Sequence, residues 1–417
     1  MTFAALQATL LWQNRTLMAE GYGDFASFYT AGRIVASGQS AKLYDSDVQW
    51  RIQQEFASTV KIRRRPLPYI RPPFEALLFV PFSWLSYSAA CVLWMALKVA
   101  LLLIFPFLLP LELPIASAQE ADNHGKPRTI TLRTLICLAF FPVGFDLLQG
   151  QDSILLLFIL ALALRLMLQG ADLPSGAVMA LGLFKFHLIL PLLLIFALAK
   201  KRKLVFGFAA TAVGLFLTSL AMVHWSGIAN YPGYLWRLNS WPGFGLVQPQ
   251  RMPTLRGLLT VQPANEIISR IVPWLLIGGF ILGLIIAARS WRNETRAAIP
   301  AAFSFSIVVA LFTAYYASSY DLTLLLLPLL LIGKPMLSEC DRGWPRALFL
   351  AAAVVLLFTP FLWFLVLRLD QFRWVGLALL ALAVSIFRFS EDSAARRTAL
   401  GGVTGHKIST KGMPTVC

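Results

Sequence analysis

Residues 175–203 read SGAVMALGLFKFHLILPLLLIFALAKKRK, and the path of this stretch decides the fold. A membrane crossing takes about 20 apolar residues. Read as one crossing, 175–199 is long and leaves Lys185 and His187 at mid-depth. Read as a hairpin of two short helices, it brings Lys185 to one surface and returns the chain to the other at Lys200, Lys201, Arg202 and Lys203. Pro191 and the pair Gly176/Gly182 suit broken helices, which membranes tolerate where they line a cavity. The hairpin is the expected form.

Outward from this stretch, apolar runs fill most of the 417 residues, at roughly 73–86, 87–109, 131–148, 152–168, 204–223, 271–289, 298–316, 322–333, 347–367 and 372–389. Hydrophobic residues make up 58% and charged residues 13%, half the usual charged share, which excludes a soluble enzyme and a disordered chain. The expected fold is all-α: a polytopic bundle of about 10–12 transmembrane or re-entrant helices over residues 1–390. Loops 20–72 and 224–270 are expected outside, and a Gly/Ser/Thr-rich disordered tail at 391–417 inside.

The net charge of +16 sits in short clusters between apolar runs, which points to topology and lipid phosphate, with no nucleic acid partner. Cys91, Cys137, Cys340 and Cys417 have no metal-binding spacing, and neither a disulfide framework nor a zinc site is expected. The start, MTFAALQATLLWQNR, lacks the basic opening of a signal peptide and is short for a span. Placing Lys200–Lys203, Arg289/Arg292/Arg296, Lys334/Arg342/Arg346 and the basic tail in the cytoplasm puts Asp24, Gln151, Trp241 and Asp321 on one face, opposite Lys201 and Arg397. That bookkeeping requires one early run to be short or re-entrant, and Phe74–Trp84 is the expected one. The cluster Lys61, Arg63, Arg64, Arg65 and Arg71 is then either cytoplasmic, or external and binding anionic groups.

Acids are scarce, and five lie against the ends of apolar runs: Asp24, Glu75, Asp146, Asp152 and Asp321. Ionisable groups at such places are functional candidates, with a paired structural carboxylate as the alternative for Glu75 and Asp146. Asp24, ahead of a helical stretch, reads equally as an N-cap. No HExxH, GxSxG or GxxxxGK[ST] occurs, so neither a zinc protease, a serine hydrolase nor an ATP-driven pump is indicated.

Several short motifs then carry a resemblance. They are Gly23-Asp24-Phe25 with Phe28-Tyr29 and Arg33; Leu43-Tyr44-Asp45; Tyr69-Ile70-Arg71-Pro72-Pro73-Phe74; Gln149-Gly150-Gln151; Gly182-Leu183-Phe184-Lys185; Leu255-Arg256-Gly257-Leu258-Leu259; and Tyr320-Asp321-Leu322 leading to Pro328. In this order, over about residues 20–335, the chain resembles glycosyltransferase family 87. The departures are a nearly missing first span, Thr254 where serine is usual, and Asp152 where asparagine is common.

The resemblance implies a GT-C-like membrane enzyme, similar to mycobacterial mannosyltransferases, taking a sugar from a polyprenyl-phosphate donor outside the cytoplasm of a bacterial inner membrane. It implies Asp24 as catalytic base. Mannose is the expected sugar, and a glycan or glycolipid hydroxyl the expected acceptor, with inversion. The leaving phosphate gains charge and needs fixed cations; Lys185, Arg71 and Arg256 are the candidates, with Arg251 and Arg64 behind them. Tyr320, Asp321, Gln149, Gln151 and Trp241 are expected at the sugar and acceptor, with Asp152 as a second acid. No cofactor is assigned, and a divalent metal stays open. The alternative is a lipid or polymer flippase, which would need charged residues coupling to an ion.

Overall fold

A computed structural model describes residues 2–57, 66–110, 125–239, 248–260, 266–292, 295–338 and 343–404. Of the described residues 84% are helical, and none of them forms a strand. Among the described residues, six helical segments are long and apolar enough to cross a membrane, and a seventh arises if a pair bent by 58°, Thr129–Ala139 and Phe141–Gln149, counts as one. Three shorter apolar helices complete the bundle. A helix pairs its own backbone amides, which is how a chain satisfies them in lipid.

After a short N-terminal helix α1 (Thr2–Gln13), α2 (Phe25–Ala36) and α3 (Ser46–Phe56) form a cap at one end. The expected short run behaves as read: Phe74–Trp84 breaks into turns no longer than four residues and does not cross. It packs on α2, where a Cβ on Gly32 would lie 2.3 Å from the carbonyl oxygen of Phe79, so only glycine fits.

The apolar helices follow: α4 (Tyr87–Leu108), the bent pair α5 (Gly125–Ala139) and α6 (Phe141–Gln149), then the shorter α7 (Ser153–Leu168). Gly150 ends α6 at φ +70°, a left-handed turn that glycine adopts without cost.

Asp172–Leu198 has the length of one span. Its contacts fold it in two at Lys185. The first arm, α8 (Asp172–Ala180), lies on α7, with Ser175 donating to Ala163 O. Lys185 stands beside Ser153, the first residue of α7. The second arm, α9 (Phe186–Leu198), descends until Phe196 packs on Trp291 and Phe303. Lys200 and Lys201 then line the same cleft as Gln169 and Asp172. This is the expected hairpin, with a buried rather than surface-exposed apex.

Helix α10 (Arg202–Asn239) runs back to the cap and breaks at His224, whose φ of 57° and ψ of 177° are non-helical. A short α11 (Leu255–Leu259) precedes α12 (Glu266–Ser290), α13 (Ile299–Thr313), α14 (Leu326–Ser338), α15 (Trp344–Leu357) and α16 (Val375–Thr404). The segment Ser319–Ser338, 72% buried, is the central element, whereas Arg270–Ser290, 17% buried, is peripheral and turns Trp274, Ile281 and Leu282 outward.

The chain end corrects one expectation in part. The last helix continues to Thr404, so 391–404 is helical, while 405–417 lie outside the described residues. The cap, Gly150–Ser153 and Lys185 gather at one end of the bundle. Lys200–Lys203 and Arg296 gather at the other. Arg388, over the ring of Trp344 at the start of α15, lies at that second end too, with Arg397 further along the same helix.

Candidate active site

Five acids and three bases from six separate stretches of chain meet beneath the cap. The first stretch, Tyr69–Phe74, is irregular backbone and must find partners for its carbonyls. It finds three tyrosines: Tyr234 donates its hydroxyl to Tyr69 O, Tyr231 to Ile70 O and Tyr44 to Arg71 O. Gln49 accepts from the amide of Tyr69. This lattice fixes the backbone that carries Arg71.

From there the polar contacts run in a chain. Arg71 Nη2 donates to Gln151 Oε1 and to Asp152 Oδ1, both at 3.0 Å. Gln151 Nε2 donates to Asp24 Oδ2 at 2.6 Å. Lys185 Nζ lies 2.8 Å from Asp152 Oδ1 and donates to Asp321 Oδ1 at 2.6 Å and to Ser153 Oγ at 2.5 Å. Asp321 Oδ2 accepts from the amide of Ser318, so this acid also caps its own helix turn. The Tyr320 ring lies 5.0 Å from Lys185 Nζ, and its hydroxyl meets that of Tyr316 at 3.3 Å.

Glu75 joins through Tyr69, whose hydroxyl donates to its Oε2 at 3.1 Å. Its Oε1, like Asp152 Oδ2, is buried without a donor. Burial, then the charge of Asp152, push Glu75 well above the usual carboxylate range, with Arg71 opposing. A proton on Glu75 supplies Asp152 with the missing donor. Burial alone would raise Asp152 as well, but Arg71 and Lys185 hold it down to about 2. Burial works against the charge on Arg71, and Asp152 more than offsets it, so the guanidinium stays protonated. Asp24, half-buried, forms the outer end of this chain of contacts.

Asp24 does not act as a helix cap. Its φ/ψ is already helical and its side chain caps no amide of α2. Gly23 passes so close to α6 that a Cβ would sit 2.9 Å from Gln149 O, which brings Asp24 within reach of Gln151. Behind this layer, Lys98 Nζ donates to Asp146 Oδ1 and to its carbonyl, both at 3.0 Å, and Asp146 Oδ2 accepts from the amide of Ser153.

The sequence candidates therefore separate. Asp24, Arg71, Gln151, Asp152, Lys185, Tyr320 and Asp321 form one network. Gln149 contributes backbone packing against Gly23 with a half-buried side chain. Arg256 stands apart, over the Tyr315 ring at 3.9 Å and donating to Tyr315 O. Arg251 pairs with Asp370. Trp241 and Arg64 lie outside the described residues. No group of three or more His, Cys, Asp or Glu placed to hold a metal occurs among the described residues.

Sequence reasoning left out Ser153, Tyr316 and Lys98. Ser153 follows the Gly-Gln-Asp turn directly, and Tyr316 stands four residues before Tyr320, but neither spacing is diagnostic. Lys98 had a clear signal, a charge in the middle of the apolar run 87–109. Arg165, the other intramembrane cation, donates to Phe107 O at an exposed position, far from this network.

No curated protein and no solved structure matches the chain. A family model matches residues 69–328, from the tyrosine that opens the Arg71 segment to the proline in α14, with the Asp24 motif lying just ahead of the matched region. That match spans more than half of the chain and takes in every member of the network except Asp24: the protein belongs to glycosyltransferase family 87.

Proposed function

We propose that this membrane glycosyltransferase moves a hexose or pentose, mannose foremost, from a polyprenyl phosphate to a hydroxyl of a glycan or glycolipid, with inversion, at the extracytoplasmic face of a bacterial inner membrane. The observation that carries the reading is Asp24: a carboxylate at the edge of a buried charge network, held by Gln151 and not spent on capping its helix.

In the reaction the acceptor O–H gives its proton to Asp24 as its oxygen bonds to the anomeric carbon. The bond from that carbon to the phosphate oxygen breaks, and the electron pair leaves with the polyprenyl phosphate. Cations at the leaving oxygen stabilise the developing charge. Arg71, 7% exposed in its side chain, suits this role, with the half-buried Arg256, on Tyr315, as the second candidate. Lys185, expected there too, is fully enclosed by Asp152, Ser153 and Asp321. We assign it to positioning these acids, one step removed from the donor. Tyr320, Asp321, Gln149 and Gln151 are assigned to the sugar and acceptor, and Asp152 to orienting Arg71. The family membership favours the transferase over the flippase.

The test is incubation of the purified enzyme in liposomes with a labelled polyprenyl-phosphate sugar and, separately, with the nucleotide sugar. Transfer from the lipid donor alone, with inverted anomeric configuration in the product, is the expected result. Transfer from the nucleotide sugar, or retention, overturns the proposal.

A further inference from the structure

The opposite end of the bundle holds a concave feature that the transferase reading does not use. A cleft of about 530 Å³ opens between the α7–α8 turn, the start of α10 and the start of α13. Lys200, Lys201, Arg202, Lys203 and Arg296 line it, and Asp172 is the one acid among its described lining residues. Trp291, 4% exposed, forms part of the wall and lies 5.9 Å from Lys201 Nζ.

We propose that this cleft binds the headgroup of an anionic phospholipid. Charge bias between loops explains basic residues at this end in general. It does not explain their convergence on one concavity, when Arg388 and Arg346 at the same end stand elsewhere. The backbone supplies a second observation. Helices α7 and α9 end side by side in the same left-handed turn. In the first, the amide of Ala171 returns to Leu166 O around Gly170 at φ +80°. In the second, the amide of Lys201 returns to Phe196 O around Lys200 at φ +59°. Glycine adopts that conformation without penalty and lysine does not. The strained position carries a cation at the mouth of the cleft.

A lipid fits better than a soluble anion because the cleft is flanked by outward apolar side chains. Leu173, Leu198 and Phe206 are 47%, 54% and 67% exposed, each within about a turn of a cleft cation or Asp172. Acyl chains lying along them would bring the phosphate to the lysines. Basic pockets between crossing helices recognise anionic headgroups through this combination.

The experiment uses the full chain in phosphatidylcholine nanodiscs with increasing phosphatidylglycerol, bound lipid being read by native mass spectrometry. The paired variant Lys200→Gln/Arg296→Gln is expected to lose affinity on the order of 30-fold, from about a kilocalorie per cation. The pair Lys334→Gln/Arg346→Gln removes the same charge outside the cleft and is expected to change it by less than about threefold on the same scale. Equal losses in both pairs mean a diffuse surface potential and overturn the site. Wild-type affinity in the first pair does the same. Inorganic phosphate forms the last arm: displacement of the lipid at low millimolar concentration reassigns the cleft to a soluble ion, whereas failure to displace supports the lipid.

Discussion

Two clusters of buried charge lie on either side of the turn 147–153, and they are built on different terms. In the pair Lys98–Asp146 both side chains are fully enclosed, and each carboxylate oxygen has a donor, Lys98 on one side and the Ser153 amide on the other. In the cluster around Arg71 and Lys185, Asp152 Oδ2 and Glu75 Oε1 find a donor only through the proton on Glu75, and Arg71 Nε is buried without a hydrogen-bond partner. A saturated pair holds its neighbours still and has nothing to offer a ligand. An unsaturated one keeps donors and acceptors available beside the half-buried carboxylate of Asp24. The first therefore reads as scaffold and the second as chemistry.

Four measurements would break or sharpen this contrast. The largest effect belongs to Asp24→Asn, which preserves shape and removes the proton acceptor. Turnover is expected to fall by about 10²–10⁴ with an unchanged melting temperature. Near-wild-type turnover would move Asp24 to the scaffold side.

Next is the saturated pair. Lys98→Met alone leaves Asp146 buried without its cation and is expected to destabilise by about 3–5 kcal/mol. Adding Asp146→Leu removes the stranded charge. Melting of the double variant is expected to recover most of the loss, short by about 1 kcal/mol for the bond to Ser153. A double variant as unstable as the single would mean that the pair does more than balance charge.

Gly150→Ala tests the turn between the two clusters. The φ of +70° and a Cβ only 2.6 Å from Phe25 Cβ both resist a side chain. The expected cost is about 1–3 kcal/mol, together with a lower rate, since Gln151 and Asp152 follow directly. A stability loss without a change in rate would separate this turn from the site.

The smallest effect concerns Glu75. Its folded pKa lies above its unfolded one, so its contribution to stability is complete below the unfolded value and is lost as pH rises through the folded value. Glu75→Gln keeps a neutral donor. It is expected to raise stability at neutral pH and to flatten the decline in melting temperature that sets in as pH rises above the unfolded value. An unaltered pH profile would show that Glu75 ionises in the folded protein as it does in the unfolded chain.

Much of the site was legible because charge beside an apolar run is costly and therefore rare. All five acids noted at the ends of such runs, Asp24, Glu75, Asp146, Asp152 and Asp321, lie in or directly behind the network. The hairpin apex at Lys185 was readable for the same reason, since a cation could not stay unpaired at mid-depth. What escaped was pairing. Nothing in the sequence says that Gln151 meets Asp24 across 127 positions, or Lys185 Asp321 across 136. Lys98 was masked by the strength of its surroundings, a run so apolar that one charge does not interrupt it. Lys185 was read as reaching a phosphate because its two carboxylate partners come from distant helices. The way Tyr69–Pro72 is held could not be read either, since a tyrosine hydroxyl aimed at a backbone carbonyl leaves no sequence pattern.

That last arrangement bears on how the protein is made. Two of the three hydroxyls that grip this segment come from Tyr231 and Tyr234, 161 and 165 residues downstream of the carbonyls they meet. At about 5–20 residues per second of synthesis, the segment carrying Arg71 waits on the order of 10–30 s before its partners leave the ribosome. During that interval only the Tyr44 hydroxyl holds the Arg71 carbonyl, Lys185 arrives partway through, and Asp321 is still to come. Assembly of the end that carries this network is thus a late event, set by the arrival of the second half of α10 and then of the Ser319–Leu325 turn. A chain truncated before residue 231 should insert its first helices normally and still lack an ordered Arg71.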